Sequence, residues 1–287
     1  MKFAFIDGNK DVFPVGLMCR VLGVSKSGYY DWLPRDTSPR KLAELRLARA
    51  IEDIHKGSHR TYGSPRLHAQ LNALGHQCSK SRVERTMKKY GIRAKTKRKF
   101  KATTNSKHNL PVAPNHLMRH FTAKMENRVW VGDITAIWTR EGWLYLAALM
   151  DMFSRKIVGW AMSDRMTKDL ALDALKMAYN RRSPAAGLIH HTDQGSQYAS
   201  HDYQRLMASR GLVPSMSHRG DCWDNAPAES FFHSLKTEHV YWYEYFTRAQ
   251  AKQSIFWWIE VYYNRQRSHS SIDFKSPEAY EAAARVA

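Results

Sequence analysis

The sequence contains few cysteines and no long apolar runs. Its 287 residues contain three cysteines, Cys19, Cys78 and Cys222, and none of them belongs to a CxxC pair. An odd number of widely spaced cysteines argues against a disulfide framework and fits a reducing compartment. No apolar run approaches the roughly 18 residues that a membrane-spanning helix needs, and the N-terminus lacks the apolar stretch of a signal peptide. We therefore expect a cytoplasmic protein.

Acidic residues are scarce in the first part of the chain. The formal net charge is +19. Residues 1–128 contain 27 lysines and arginines against 9 aspartates and glutamates, whereas residues 129–287 contain 18 against 17. Positive charge that is segregated in this way favours a polyanionic partner. The distribution predicts nucleic-acid-binding units at the front of the chain and a separate, nearly neutral domain behind them.

Two helical patterns in the first 92 residues are typical of helix-turn-helix units. Residues 15–32 predict two short helices around a turn, with Ser25 capping the second helix and Lys26 available to DNA. Ser64-Pro65 predicts the start of a second helix pair. The DNA contacts predicted in the last helix of that pair are Lys80, Arg82, Arg85, Lys88 and Lys89. The first pattern also fits a helical hairpin that only packs.

A basic segment follows these helices. Residues 93–107 contain seven cations in fifteen positions. We expect an extended arm that follows DNA, with an ordinary solvated linker as the alternative. The predicted contacts are Arg93, Lys95, Lys97, Arg98, Lys99 and Lys101.

From residue 129 the sequence alternates between strand and helix patterns. Strands are predicted at 129–138, 143–150, 156–162, 187–191 and 212–217, with helices at 167–181 and 200–210. Three antiparallel strands followed by helix-separated strands indicate an RNase H-like α/β fold with a mixed five-stranded sheet and flanking helices. The small all-α units would precede it.

Three acidic residues of this second part carry the chemical prediction. Asp133 lies inside an apolar strand pattern, and Asp193 closes the pattern at 187–191. Glu229 lies early in a helical pattern, with 35 residues between it and Asp193. In the predicted fold these three places converge. Three carboxylates can hold two Mg²⁺ ions about 3.5–4 Å apart, which clamp the attacking and leaving oxygens of a phosphodiester. We therefore predict all three as catalytic residues and metal ligands, with Mn²⁺ as a substitute metal.

Other charged residues are alternative candidates for this site. Asp151 is interpreted as the cap of a turn, and the aspartates of the loop before Glu229 as helix caps. Glu238 is about two and a half helical turns past Glu229 and should point away from it. Lys236 returns to nearly the same face as Glu229, where it could hold a DNA phosphate or remain solvated.

Several motifs carry a family resemblance. Three of them are Val131-Gly-Asp-Ile-Thr135, His191-Thr-Asp-Gln-Gly-Ser-Gln-Tyr198 and Gly220-Asp-Cys-Trp-Asp-Asn-Ala-Pro-Ala-Glu-Ser-Phe-Phe232. They resemble the catalytic blocks of bacterial transposases of the insertion-sequence-three group, in particular the OrfB product with its integrase-type core. Tyr62-Gly-Ser-Pro-Arg66 and Tyr263-Asn-Arg-Gln-Arg-Ser-His-Ser-Ser271 resemble this family too. The resemblance covers roughly residues 15–282.

The resemblance implies a DDE-class enzyme that nicks the ends of a mobile element and joins the freed 3′-OH to target DNA. Asp133, Asp193 and Glu229 would be the Mg²⁺ ligands, with Lys236 at the family's basic position and Arg66 as a further DNA contact. The implied partners are double-stranded DNA, further copies of the chain, and an upstream OrfA product, fused or in trans. The expected location is the bacterial cytoplasm, at the nucleoid.

The predicted organisation has four parts. A helix-turn-helix-like segment spans residues 1–40, a second helical DNA-binding unit 41–92, a basic linker 93–127, and an integrase catalytic core with a helical tail 128–287. Two other functions remain open: an RNase H-like nuclease that cuts without joining, and a DNA-binding regulator with an inactive core. The three intact carboxylates argue against the regulator.

Overall fold

The structure, a computed structural model, describes residues 1–33, 38–95, 111–118, 122–217 and 225–286. Small helices form the front of the chain, and a five-stranded sheet with helices on both faces follows. Within these ranges no helix is both long and apolar enough to cross a membrane.

The first helices form a small unit with its own core. They are α1 (Lys2–Gly8), α2 (Val15–Val21) and α3 (Lys26–Trp32). Ser25 caps α3, because its Oγ accepts a hydrogen bond from the backbone N–H of Gly28 at 2.9 Å. The predicted helix pair is thus present, and α1, which packs Ile6 against Tyr29, was not predicted.

A second helical unit consists of α4 (Pro39–Gly57), α5 (Ser64–Ala73) and α6 (Lys80–Lys89). Ser79 caps α6 by accepting a hydrogen bond from the backbone N–H of Arg82 at 3.3 Å. Gly91 follows the helix at φ +67°, a conformation that costs glycine little because it has no Cβ. The core of the unit consists of Leu47, Ile51, Tyr62, Leu67, Leu71, Val83 and Met87.

The sheet has the predicted mixed topology. Its strands are β1 (Val129–Thr139), β2 (Gly142–Asp151), β3 (Ile157–Ser163), β4 (Ile189–Thr192) and β5 (Val213–Met216). Their order is β3-β2-β1-β4-β5. The first three pair antiparallel, whereas β4 is parallel to β1 and β5 is parallel to β4. This is an RNase H-like arrangement, as predicted.

Helices cover both faces of the sheet because its strands alternate apolar side chains between them. Trp130 joins the core of one face and Val131 that of the other. The first face packs against α7 (Lys168–Arg182), α8 (Ser196–Ala199) and α9 (His201–Ser209). The second packs against α10 (Ala226–Glu238) and α11 (Arg248–Trp257), which continues as the π-helical turn Trp258–Tyr263. Helix α12 (Pro277–Val286) follows.

We predict that Gly159→Ala destabilises the protein, because β3 touches α7 at this residue. A Cβ on Gly159 would lie 2.4 Å from the Ala174 carbonyl oxygen and 2.6 Å from the Ala178 Cβ. Backbone cannot move aside cheaply, so we expect a loss of about 1–3 kcal/mol in the free energy of unfolding, measured by urea denaturation. The control is Gly16→Ala in α2, where nothing lies within 4 Å. Equal stability of Gly159→Ala and wild type would contradict this packing.

Candidate active site

Asp133 lies in the middle of β1, opposite Ala148 of β2. Its Oδ1 accepts a hydrogen bond from the backbone N–H of Ile134 at 2.7 Å. The preceding residue must be small, since a Cβ on Gly132 would lie 2.9 Å from the His190 ring. The Gly-Asp sequence therefore lets β1 pack beside β4 while it presents a carboxylate.

Asp193 comes alongside Asp133 because β4 runs parallel to β1. Val131 pairs with His191, and each aspartate is two residues past that pair. Asp193 Oδ1 accepts a hydrogen bond from the backbone N–H of Gly195 at 3.0 Å, which fixes the turn after the strand. The parallel register thus brings the first two predicted carboxylates to one edge of the sheet.

Glu229 lies in the first turn of α10, where its side chain is exposed. The helix is held against the sheet by the buried Phe231, Phe232 and Leu235. At its start, the Asn225 side-chain amide donates a hydrogen bond to the carbonyl of Gly132 at 3.3 Å. Apolar packing and this hydrogen bond together place the first turn of α10 beside Asp133.

The charges of these residues act on one another. Burial raises the pKa of Asp133 well above its usual range, and the negative charges of Asp193 and Glu229 raise that pKa further. The hydrogen bond from Ile134 and the positive charge of Lys236 lower it. Asp193 and Glu229 are therefore each close enough to Asp133 for their charges to disfavour its ionised form.

Two further side chains line this site. Burial lowers the pKa of Lys236, and the charge of Asp133 opposes that shift. Tyr198 is buried, and its hydroxyl has no hydrogen-bond partner among the described residues. Burial raises the pKa of Tyr198, with Asp133 and Asp193 adding to the rise. Tyr198 was not predicted as a site residue, although it ends the sequence motif that contains Asp193.

The carboxylates are near one another without forming a closed cluster. In the described part of the chain, no three His, Cys, Asp or Glu side chains are grouped closely enough to hold a metal ion. The arrangement is thus an acidic group with Lys236 as a basic neighbour.

The competing acidic residues have structural partners. Asp151 accepts hydrogen bonds from the backbone N–H groups of Asn127 and Phe153 at 2.7 and 2.9 Å, so it caps the turn after β2 as expected. Glu238 faces away from Asp133, also as expected, and forms ion pairs with Arg66 and Arg267 at 3.1 and 2.7 Å. The loop aspartates Asp221 and Asp224 lie outside the described residues.

The residues predicted to contact DNA lie mostly on exposed helices. Lys26 is exposed at the start of α3. In α6 the exposed cations are Lys80, Arg82, Arg85, Lys88 and Lys89. Lys89 pairs with Glu44 at 2.6 Å and Lys80 lies 3.8 Å from Glu84, both on the surface, where such pairs are weak.

Two of the predicted contacts bind other parts of the protein. Arg66 donates to Glu238, and Lys95 lies over the Trp242 ring at 4.8 Å from its centroid. Arg93 is exposed, whereas Lys97, Arg98, Lys99 and Lys101 lie outside the described residues. The basic surface therefore consists mainly of α6, and Arg66 and Lys95 join the helical unit to the catalytic half.

Comparisons with known proteins agree with this arrangement. The family description "Integrase core domain" matches residues 123–222 and, in a second form, 210–277, and "HTH-like domain" matches 42–100. The uncharacterized 31 kDa protein of insertion element IS600 from Shigella sonnei is 47% identical over 263 residues, 92% of this chain and 97% of the relative. Transposase InsF for insertion sequence IS3A from Escherichia coli K12 is 42% identical over 283 residues, 98% of both chains.

Similarity to solved structures is more distant. A chain of a simian T-cell lymphotropic virus intasome, in complex with PP2A regulatory subunit B56 gamma, has a TM-score of 0.49 and 17% identity. It covers 80% of this chain and 74% of the viral one.

We predict that Asp133→Asn stabilises the protein at neutral pH in the presence of a chelator. Asp133 binds its proton more tightly in the folded state, so its contribution to stability falls as the pH rises from about 4 through the folded pKa. Asparagine removes the repelled charge and should raise the free energy of unfolding at pH 7 by about 1 kcal/mol or more. This gain should disappear below about pH 4, where wild-type Asp133 is protonated.

The control for this measurement is Asp173→Asn. The Asp173 side chain is 63% exposed and forms a surface pair with Lys176, so we expect little change in stability. Urea denaturation between acidic and neutral pH gives both values. If Asp133→Asn is no more stable than wild type at pH 7, Asp133 is not under the repulsion described here.

Proposed function

The chain belongs to the insertion-sequence transposases of the IS3 type, which have an integrase core, and on that premise we propose that Asp133, Asp193 and Glu229 are its catalytic carboxylates. The convergence of β1, β4 and the start of α10 at one edge of the sheet is the observation that carries this proposal. The negative charges of Asp193 and Glu229 both act on Asp133 there.

The same three residues are the proposed ligands of divalent metal. Carboxylate oxygens are the donors that Mg²⁺ prefers, and the charges of Asp193 and Glu229 both act on Asp133, so the three carboxylates lie in one part of the structure. Two Mg²⁺ ions, or Mn²⁺ in their place, would supply Lewis acidity to the attacking and leaving oxygens of the phosphodiester. The positive charge of Lys236 would hold a phosphate of the DNA end next to Asp133.

DNA binding is assigned to the front of the chain. The exposed cations of α6, together with Lys26 and Arg93, support the proposal that this part contacts the phosphates of element-end DNA. The basic arm that contains Lys97, Arg98, Lys99 and Lys101 would contact further phosphates of the same DNA. The division into parts at 1–40, 41–92, 93–127 and 128–287 remains part of the proposal.

The proposed reaction has two steps. Asp133, Asp193 and Glu229 would first position a water for hydrolysis at the element end. They would then position the freed 3′-OH for attack on target DNA. Neither step needs a covalent enzyme intermediate. Membership of the transposase family favours joining over a nuclease that only cuts, and the presence of all three carboxylates argues against a regulator with an inactive core.

The proposed partners follow from this reaction. Paired cutting of two element ends requires more than one copy of the chain on DNA. An upstream OrfA product, fused or in trans, would supply further contacts to the ends, and the expected site of action is the nucleoid of a bacterial cytoplasm.

We predict that Asp133→Asn, Asp193→Asn and Glu229→Gln each reduce strand transfer about a thousandfold or more, because each removes a metal ligand. The assay uses a plasmid that carries the element's own ends, with Mg²⁺ or EDTA. Glu244→Gln is the control, since Glu244 is 67% exposed and forms a surface ion pair with Arg140 of the turn between β1 and β2. Joined products that persist in EDTA or in Glu229→Gln would refute the assignment. Wild-type nicks without joined products would favour the nuclease.

We also predict that the chain forms a dimer or a larger assembly on element-end DNA. The measurement is size-exclusion chromatography with light scattering, with and without a duplex carrying the terminal repeat. The expected result is a DNA-dependent increase in the protein mass of the complex. A single copy on paired ends would refute the prediction.

A further inference from the structure

A polar cavity, distinct from the carboxylate site, lies beside α10 and has a volume of about 240 Å³. The turn between β2 and β3, helix α10 and the segment after Tyr263 enclose it, and α5 contributes one side chain. Its polar lining includes Arg66, Arg155, Arg267, Ser230, Ser270 and Ser271. None of these residues belongs to the carboxylate site.

Arg155 is a cation of this cavity for which the described residues supply no counterion. No carboxylate or hydrogen-bond acceptor of the described residues contacts its guanidinium, and burial lowers the pKa of Arg155. The backbone of Arg155 has φ +64°, a conformation that residues other than glycine adopt at a cost. Its backbone N–H donates a hydrogen bond to the Asp151 carbonyl at 2.8 Å. The turn thus holds a charged side chain in a half-buried place where no carboxylate of the described ranges neutralises it.

The remaining charges leave the cavity positive. Arg267 donates to both oxygens of Glu238 at 2.7 Å, and Arg66 donates to the same carboxylate at 3.1 Å. Three arginines against one glutamate give a net charge of +2. His269 adds no charge at neutral pH, because burial and Arg267 lower the pKa of His269 well below its usual range.

The mouth of the cavity offers neutral hydrogen-bond donors. The hydroxyls of Ser230, Ser270 and Ser271 form no hydrogen bond to any described residue, and all three side chains are exposed. An unpaired arginine combined with hydroxyl donors and a positive field matches the needs of a phosphate oxygen, to which guanidinium binds in a planar, two-pronged geometry.

The cavity is a neighbour of the carboxylate site along α10. Ser230 directly follows Glu229, about 1.5 Å further along the helix axis and about 100° around it. Pro227, Ser230 and Ser234 line the cavity, so they occupy the helix face next to the one that carries Glu229. A DNA strand whose end lies at Glu229 can reach the cavity with a phosphate a short way along its backbone.

We propose that this cavity binds a backbone phosphate of the DNA strand whose end lies at the carboxylate site, with Arg155 as the ion-pair partner of that phosphate. The proposal rests on the proposed function, since it takes DNA as the substrate. Arg66 and Arg267 make the electrostatic potential of the cavity positive, and the serine hydroxyls donate hydrogen bonds to the remaining phosphate oxygens. The tail segment Tyr263–Ser271 thereby has a role in holding DNA.

The test measures the affinity for a duplex carrying the terminal repeat, by fluorescence anisotropy in EDTA over a series of salt concentrations. Arg155→Gln should bind about tenfold more weakly than wild type, and its slope of log affinity against log salt should be smaller by about 1. Arg155→Lys should retain most of the affinity because it keeps the charge. Arg205→Gln is the matched control, since Arg205 is a 78% exposed arginine of α9 outside the cavity, and it should bind like wild type.

Methylphosphonate substitution identifies the phosphate. Replacing one backbone phosphate at a time by the neutral analogue should weaken wild-type binding at a position near the cleaved 3′ end. At that position Arg155→Gln should show no further loss. Ser271→Asp, which places a negative charge at the exposed mouth, should weaken binding in the same way and serves as a second variant should Arg155→Gln fail to fold.

Several results would overturn the proposal. The first is that Arg155→Gln binds DNA with the same affinity and the same salt slope as wild type. The second is that each methylphosphonate weakens binding by Arg155→Gln as much as it weakens binding by wild type, at every position. If inorganic phosphate raises the melting temperature of wild type but not of Arg155→Gln while DNA affinity is unchanged, the cavity binds free phosphate and the DNA assignment is wrong. EDTA prevents metal-dependent chemistry, so a failure of strand transfer with normal DNA binding bears on the proposed function alone.

Discussion

The convergence of three carboxylates at one edge of the sheet, where Asp133 is buried, is the constraint on which this account depends. The parallel pairing of β1 with β4 brings Asp193 beside Asp133, and the packing of α10 adds Glu229. Their charges disfavour ionised Asp133 in the absence of a cation. A fold selected for stability alone would not keep three acids at this edge, whereas a site for divalent metal needs them. The cost in stability and the proposed catalysis therefore have the same origin.

Helix α10 is held at both ends, which matters because it carries Glu229. At its start Asn225 binds the Gly132 carbonyl, and at its end Glu238 binds Arg66 and Arg267. Breaking a buried pair such as Arg267–Glu238 typically costs about 3–5 kcal/mol. The second helical unit also contacts the tail, where the Ser268 N–H donates to the Tyr62 hydroxyl at 2.6 Å. This unit, to which we assign DNA binding, is thus connected through direct contacts to the helix of the candidate site.

The sheet and most helices could be predicted because their signals are local. Alternating apolar residues mark β1 and β2, and caps such as Ser25 and Ser79 mark helix starts. The three carboxylates could be singled out from their neighbourhoods and from the family motifs. The roles of Arg66, Arg155 and Arg267 could not, because they depend on which distant residues meet. Arg66 lies 172 residues from Glu238, to which it binds, and no periodic pattern in the sequence indicates such a contact.

The most direct test of the central claim is anomalous diffraction from crystals of the protein grown with Mn²⁺. We expect two peaks about 3.5–4 Å apart, with carboxylate oxygens of Asp133, Asp193 and Glu229 as their protein ligands. Crystals of Glu229→Gln should lose at least one of the peaks. Manganese bound elsewhere, or no peak between these residues at a saturating concentration, would contradict the account.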